Sequence, residues 1–270
     1  ISRIKKLSVY RPKVKEQTAM RNTSVLGVPL SMMRKEEMLA AMGEAIRLGD
    51  QLSVVAINAR KIVRTVREPQ MRQLILGFDL FLADGSAVVK AADYTVERIT
   101  GIDLMEEICR HSRELGARVF FYGAAEDSNL GAQKTLKERY PDLEIAGYCN
   151  GYEDQDVLEK ICASRANVIF VAKGTPLQEQ WIREHAEETG AGVLLGVGGA
   201  FDVFAGKIRR APGIIQRLGL EWLYRMIREP KRFAQIPELM EFRRLVKQEK
   251  KQSFQKIEGG TICNAEKLPW

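Results

Sequence analysis

In "LFLADGSAVV" (residues 80–89) four apolar residues run straight into a carboxylate and a glycine. An aspartate so placed has two readings: it can take a proton inside a pocket, or it can close an Asp-Gly turn through local hydrogen bonds. Other useful residues stand in the same relation to apolar runs. Asn58 follows "VVAI", Gly123 follows "VFFY", Lys173-Gly174-Thr175-Pro176 follow "VIFVA", and Gly198-Gly199 follow "LLGV". An amide both donates and accepts, as a hydroxyl-rich ligand requires, and a glycine lets backbone N–H groups approach a charged group closely.

Three tempting motifs fail. "GVGGAF" begins like a dinucleotide fingerprint, yet the third glycine position is Phe201. "FDVFAGK" ends like a phosphate loop, but Lys207 precedes Ile208 and the leading glycine is again Phe201. In "EDQDV" the Asp154-x-Asp156 spacing could hold a divalent metal. It stands just ahead of a helical pattern, where acids cap free N–H groups, and the capping reading is preferred. Cys109, Cys149, Cys162 and Cys263 form no C-x-x-C pair, and His111 and His185 lie far apart, so neither a disulfide framework nor a zinc site is expected.

The elements that must position these residues are legible as an alternation. Strands are expected at 52–57, 80–83, 118–123, 143–148, 167–172 and 192–197, with amphipathic helices near 34–49, 59–77, 102–116, 128–140, 155–164 and 176–190. Such alternation implies an α/β, Rossmann-like, mostly parallel sheet flanked by helices, with ligands at the carboxyl ends of the strands. Beyond the last strand, "APGIIQRLGLEWLYRMIREPKRF" puts Ile214, Leu218, Trp222 and Met226 on one helical stripe, and Arg217, Glu221, Arg225 and Arg228 on its neighbour. That segment reads as a C-terminal helical appendage that docks on the core, faces a membrane surface or a phosphate, or does both with different faces.

The net charge of +7 is unevenly spread. Residues 1–19 carry six Lys/Arg against one acid and residues 207–256 carry fourteen against five, whereas 20–206 carry twenty-one against twenty-seven. A slightly acidic body with two basic ends suits a polyanionic partner. The chain divides into a basic extension (1–23), an α/β core (24–210), a basic appendage (211–250) and a tail (251–270), with both ends expected to be disordered. No window reaches the roughly 20 apolar residues of a membrane span. A protein on the cytoplasmic side, soluble or peripheral, is expected.

Five stretches in order, "LADGSAVV", "ERITGIDL", "GTPLQEQWI", "GVGGAFDVFAGKIRRAP" and "QRLGLEWLYRMIREPKR", make the chain resemble the WecG/TagA/CpsF family of bacterial glycosyltransferases over roughly residues 24–245. The resemblance implies transfer of an N-acetylmannosamine-type sugar from a UDP-sugar to a polyprenyl-diphosphate-linked N-acetylglucosamine, with inversion, without a metal or other cofactor, at the anionic cytoplasmic membrane face. It implies Asp84 as general base and Arg98 as an active-site arginine. Arg225 and Arg232 match basic appendage positions that steady the departing diphosphate. Asn58 and Gln178 match sugar-contacting positions, Gly198 and Gly199 would admit the diphosphate, and Asp202 would either bind donor or cap a helix. One departure is Ala56, where relatives often carry threonine. A non-catalytic nucleotide- or nucleic-acid-binding α/β module is the alternative, nucleic acid being no partner under the family reading. Self-association is left open.

Overall fold

The computed structural model describes residues 14–19, 21–153, 155–217, 221–228 and 230–262. Helix α1 (Val14–Ala19) leads into the antiparallel pair β1 (Asn22–Val25) and β2 (Val28–Ser31), then α2 (Lys35–Leu48). The core continues as β3 (Leu52–Ile57), α3 (Ala59–Arg67), α4 (Pro69–Leu76), β4 (Leu80–Ala83), α5 (Ser86–Ala91), α6 (Gly101–Arg110) and α7 (Ser112–Leu115). Next come β5 (Arg118–Gly123), α8 (Glu126–Arg139), β6 (Glu144–Cys149), α9 (Val157–Ser164), β7 (Val168–Ala172), α10 (Leu177–Thr189), β8 (Val193–Gly196) and α11 (Ala200–Phe204). Helices α12 (Gly213–Arg217) and α13 (Glu221–Arg228), a 3-10 segment (Pro230–Gln235) and the long α14 (Ile236–Ile262) complete the described chain.

Six strands form one sheet in the order β4-β3-β8-β7-β5-β6, and every pairing is parallel. Helices cover both faces, which is why the strands read as nearly unbroken apolar runs. Alternate residues feed two cores: Val54, Leu82, Phe121, Phe170 and Leu195 on one face, and Val55, Ile57, Phe81, Tyr122, Ile169 and Leu194 on the other. The exception inside β3 is Ser53, whose hydroxyl and backbone N–H both donate to Asp79 Oδ2, at 2.7 and 2.8 Å.

The expected mostly parallel, helix-flanked α/β sheet is thus the fold, and all six strands fall within a residue or so of their expected positions. Two expected helices are each two. The 59–77 pattern breaks at Glu68, where Pro69 opens α4, because proline fits the first helical turn and not the interior. The 102–116 pattern breaks at His111, between α6 and α7. The β1–β2 hairpin was not read from the sequence: its turn, Leu26 (φ 53) and Gly27 (φ 71), needs two left-handed residues, and leucine does not signal one.

The expected boundary at residue 23 falls inside ordered structure. Val14 is buried, and its N–H donates to Asp50 Oδ2 at 3.1 Å beside the C-terminal end of α2. Residues 1–13 and 263–270 lie outside the described residues. Helix α14 continues past residue 250 to Ile262.

Glycine is required where β5 ends. Gly123 has φ 111, and a Cβ there would lie 2.5 Å from the carbonyl oxygen of Ala172 on β7. Gly190 also has positive φ (63), but open space surrounds it. Gly123→Ala is expected to lower stability by at least about 3 kcal/mol and Gly190→Ala by only about 1 kcal/mol, compared by denaturant midpoints.

Candidate functional site

One cavity of about 1790 Å³ opens over the carboxyl ends of β4, β3 and β8. There the order of the strands departs from the order of the chain, the usual ligand crevice of an open parallel sheet. Asn58, Asp84, Arg98, Gln178, Gly198 and Gly199 all line it.

Asp84 is held by backbone. Its N–H donates to Ile57 O at 2.9 Å, tying the end of β4 to the end of β3. Gly85 follows with φ 115 and ψ 146, a region essentially closed to residues with a Cβ, and α5 departs directly from it. The glycine turns the chain away and leaves the half-buried carboxylate on the cavity wall. Arg98 reaches the same wall through a parallel bridge between Ala83 and Arg98, with Ile99 N–H donating to Ala83 O at 3.1 Å. The extra bridge sets a cation beside the β4 end that carries the acid.

Asn58 caps α3, its Oδ1 accepting from Lys61 N–H at 2.9 Å. One turn into that helix, Lys61 folds back under the cavity and donates to Ala56 O at 2.7 Å and to Glu179 Oε1 at 2.8 Å. Lys61 is 5% exposed and Glu179 1%. The same Glu179 oxygen accepts from Thr175 Oγ1 at 3.1 Å and from Gln178 Nε2 at 2.9 Å, and Gln178 Oε1 accepts from Gly198 N–H at 3.0 Å. A carboxylate accepts only, so Glu179 fixes which end of the Gln178 amide faces it and which faces the glycine loop. The resemblance made Gln178 a sugar contact. Here its amide clamps the loop after β8, where Gly198 has φ 53 and Gly196 has no room for a Cβ, Gln178 Nε2 lying 2.8 Å from that position.

Asp202 is not brought to the cavity wall. Its Oδ1 accepts from Ser128 Oγ at 2.6 Å, joining α11 to α8. Arg225 lies on α13 and Arg232 in the 3-10 segment, and both side chains are outside the described residues, as are Asp154 and Leu218. Asp156 holds the N-cap position of α9 in a left-handed conformation (φ 63), and its carboxylate makes no cap hydrogen bond, so the capping expected of it is absent. Among the described residues no three His, Cys, Asp or Glu side chains converge as a metal cluster would. The described cysteines, Cys109, Cys149 and Cys162, do not line the cavity, and burial pushes the Cys109 thiol far above its usual pKa, which leaves it unreactive.

The described residues of the appendage stripes lie on α12 and α13, and residues 218–220 between them are outside the described residues. Met226 is buried and lines the cavity with Trp222. Glu221, at the start of α13, reaches the core: its Oε2 is 3.5 Å from Arg98 Nη1 and its Oε1 is 3.6 Å from Arg210 Nε. Arg210 in turn pairs with Asp103 Oδ1 at 2.6 Å, and Asp103 Oδ2 accepts from Thr100 Oγ1 at 2.7 Å. Helix α14 crosses α3 and forms another wall with Leu239, Phe242, Arg243, Val246, Lys247 and Lys250.

Lys61, Glu179 and Arg210 went unread in the sequence, and Glu221 was read only as part of a charged helical stripe. The one available signal was a lysine at the start of a segment with the apolar neighbours Ile62 and Val63, and Glu179 offered none beyond its place in the first turn of α10. A buried pair cut on one side leaves an uncompensated charge. Glu179→Ala should therefore cost about 3–5 kcal/mol, and Lys61→Met combined with Glu179→Leu distinctly less, measured by equilibrium denaturation.

The profile of the glycosyl transferase WecG/TagA/CpsF family matches residues 23–256. The chain is 34% identical over 189 residues, 68% of its own length and 74% of the relative's, to an N-acetylglucosaminyldiphosphoundecaprenol N-acetyl-beta-D-mannosaminyltransferase of Bacillus spizizenii. The matched span runs from the first strand into α14 and so contains every wall of the cavity. With an acid and an arginine at one strand end and an arginine-tethered appendage above them, the chain belongs to the WecG/TagA/CpsF family and is a glycosyltransferase.

Proposed function

We propose that this glycosyltransferase moves an N-acetylmannosamine-type sugar from a UDP-sugar to the N-acetylglucosamine of a polyprenyl-diphosphate-linked acceptor, with inversion, at the inner face of the membrane. The observation that carries the reading is the convergence of Asp84 and Arg98 at one strand end inside the cavity. The relative's activity supplies the acceptor and the transferred sugar; such a transfer needs a donor with a good leaving group, and UDP as that group is what the family resemblance implies.

A sugar hydroxyl is a poor nucleophile until its proton is being removed. Asp84 takes that proton while the hydroxyl oxygen bonds to the anomeric carbon. The bond from that carbon to the diphosphate oxygen breaks on the opposite face, and its electron pair leaves with UDP. Attack and departure on opposite faces invert the centre. The charge gathering on the diphosphate needs fixed cations and N–H groups. Arg98 meets Glu221 with one nitrogen at 3.5 Å, which leaves most of its five donors for phosphate oxygens. In the Gly198-Gly199 turn the Gly198 N–H is held by Gln178, which leaves the Gly199 N–H to face the diphosphate in the same cavity. Ala56 lines the cavity without a hydroxyl, so this wall grips the sugar differently from relatives with threonine there.

Association with the membrane is assigned to the outer face of the appendage. Leu223 (40% exposed) and Ile227 (68%) lie one helical turn apart on α13, with Ile214 and Phe233 exposed nearby in sequence. Among the described residues no helix is long and apolar enough to cross a membrane. The exposed Leu223–Ile227 face supports a surface contact by this amphipathic helix.

Asp84→Asn should keep its fold and its UDP affinity while turnover falls at least about a hundredfold, read by mass spectrometry of the products. Full activity in that variant would refute the base assignment. Chelators should leave the wild-type rate unchanged, since arginines carry the charge. Leu223→Ser with Ile227→Ser should reduce sedimentation with anionic vesicles, and unchanged sedimentation would remove the membrane role.

A further inference from the structure

The reaction proposed above brings two diphosphates to one cavity, that of the donor and that of the lipid-linked acceptor. Arg98 and the Gly198-Gly199 turn serve one of them. The second calls for another set of cations, and the charges of α14 are sorted in a way that supplies it.

Among the described side chains of α14, the acids Glu238, Glu241 and Glu249 face the body of the protein. Glu238 Oε2 pairs with Arg60 Nε at 2.7 Å, Glu241 pairs with Arg67, and Glu249 accepts from Leu26 N–H at 3.1 Å. Its cations Arg243, Lys247 and Lys250 line the cavity instead. Lys250 is anchored to Asp93 after α5. Arg243 and Lys247 are exposed and have no ion-pair partner among the described residues. These positions follow one another at four and three residues, so they form a single stripe, with Arg243 and Lys247 about 6 Å apart along the axis. Like charges so spaced destabilise a helix unless an anion lies between them. A second stripe, Leu239, Phe242 and Val246, lines the same cavity beside the cations, and Phe242 is 2% exposed. A cationic row beside an apolar row matches an anionic head joined to a hydrocarbon chain. The contacts to Arg60 and Asp93 fix the helix on either side of the stripe, so little ordering is left to do on binding.

From this arrangement we infer that Arg243 and Lys247 bind the diphosphate of the polyprenyl-linked acceptor, with Leu239 and Val246 against the first part of its chain. The inference rests on the functional reading above for its choice of ligand. The test is equilibrium binding of a short-chain prenyl-diphosphate N-acetylglucosamine, and separately of UDP, to the full chain. The variants are R243Q/K247Q and, as a control of equal charge change on positions outside the cavity, R244Q/K251Q. Glutamine keeps helix propensity at all four. R243Q/K247Q is expected to weaken acceptor binding about tenfold or more, to leave UDP binding unchanged, and to raise KM for acceptor but not for donor. The control should match wild type. Unchanged acceptor affinity, an equal loss in the control, or a loss of UDP affinity instead would each overturn the assignment, the last pointing to the donor diphosphate and the second to general attraction for anionic surfaces. The binding assay needs no turnover. Selective loss of acceptor binding would support this site even if the wild type transferred no sugar, and that failure would count against the functional reading alone.

Discussion

The floor of the cavity depends on one buried ion pair. Lys61 and Glu179 come from helices that follow different strands, and their contact pulls the start of α3, the start of α10 and, through Gln178, the glycine turn after β8 onto common coordinates. Each link is directional. Lysine donates to a strand-end carbonyl and to the carboxylate, the carboxylate orders the amide, and the amide accepts from the loop. Two buried charges gain little net stability when each satisfies the other, but they penalise any other arrangement heavily. The pair thus serves definition of the site more than stability of the fold.

Above that floor a second set of charges joins the appendage to the core. Glu221 stands between Arg98 and Arg210, and the acids of α14 bind Arg60, Arg67 and the β1–β2 turn. The half-exposed pairs contribute little individually. Their effect is geometric, since they close the cavity with a helix that lines it with Arg243, Lys247 and Lys250. The same linkage places Arg98, on the cavity wall, in contact with α13 of the appendage, so the two are positioned by shared groups.

How much of this could be read beforehand differs by residue. Asp84 was legible because a four-residue apolar run, an acid and a glycine form a local signal, and the fold shows why the glycine is needed: φ 115 at Gly85. Gln178 was found by resemblance, yet its amide is engaged with Glu179 and Gly198. Asp202 sits two residues from a cavity-lining alanine, and still its carboxylate turns to Ser128 of α8, because a short helix presents successive residues to different sides. The breaks at Glu68 and His111 were missed because apolar spacing continues across them.

The sequence by itself determined the parallel α/β class, the positions of the strands, and which residues stand at strand ends, because burial on both faces and helical periodicity are properties of neighbouring residues. Only the tertiary structure decided that the ends of β4, β3 and β8 lie side by side, that Lys61 meets Glu179 across 118 positions, and that α14 turns Arg243 and Lys247 toward the cavity. The physical reason is that strand order and the partners of buried charges are settled by packing and desolvation between distant segments. No local pattern encodes which distant segment will arrive.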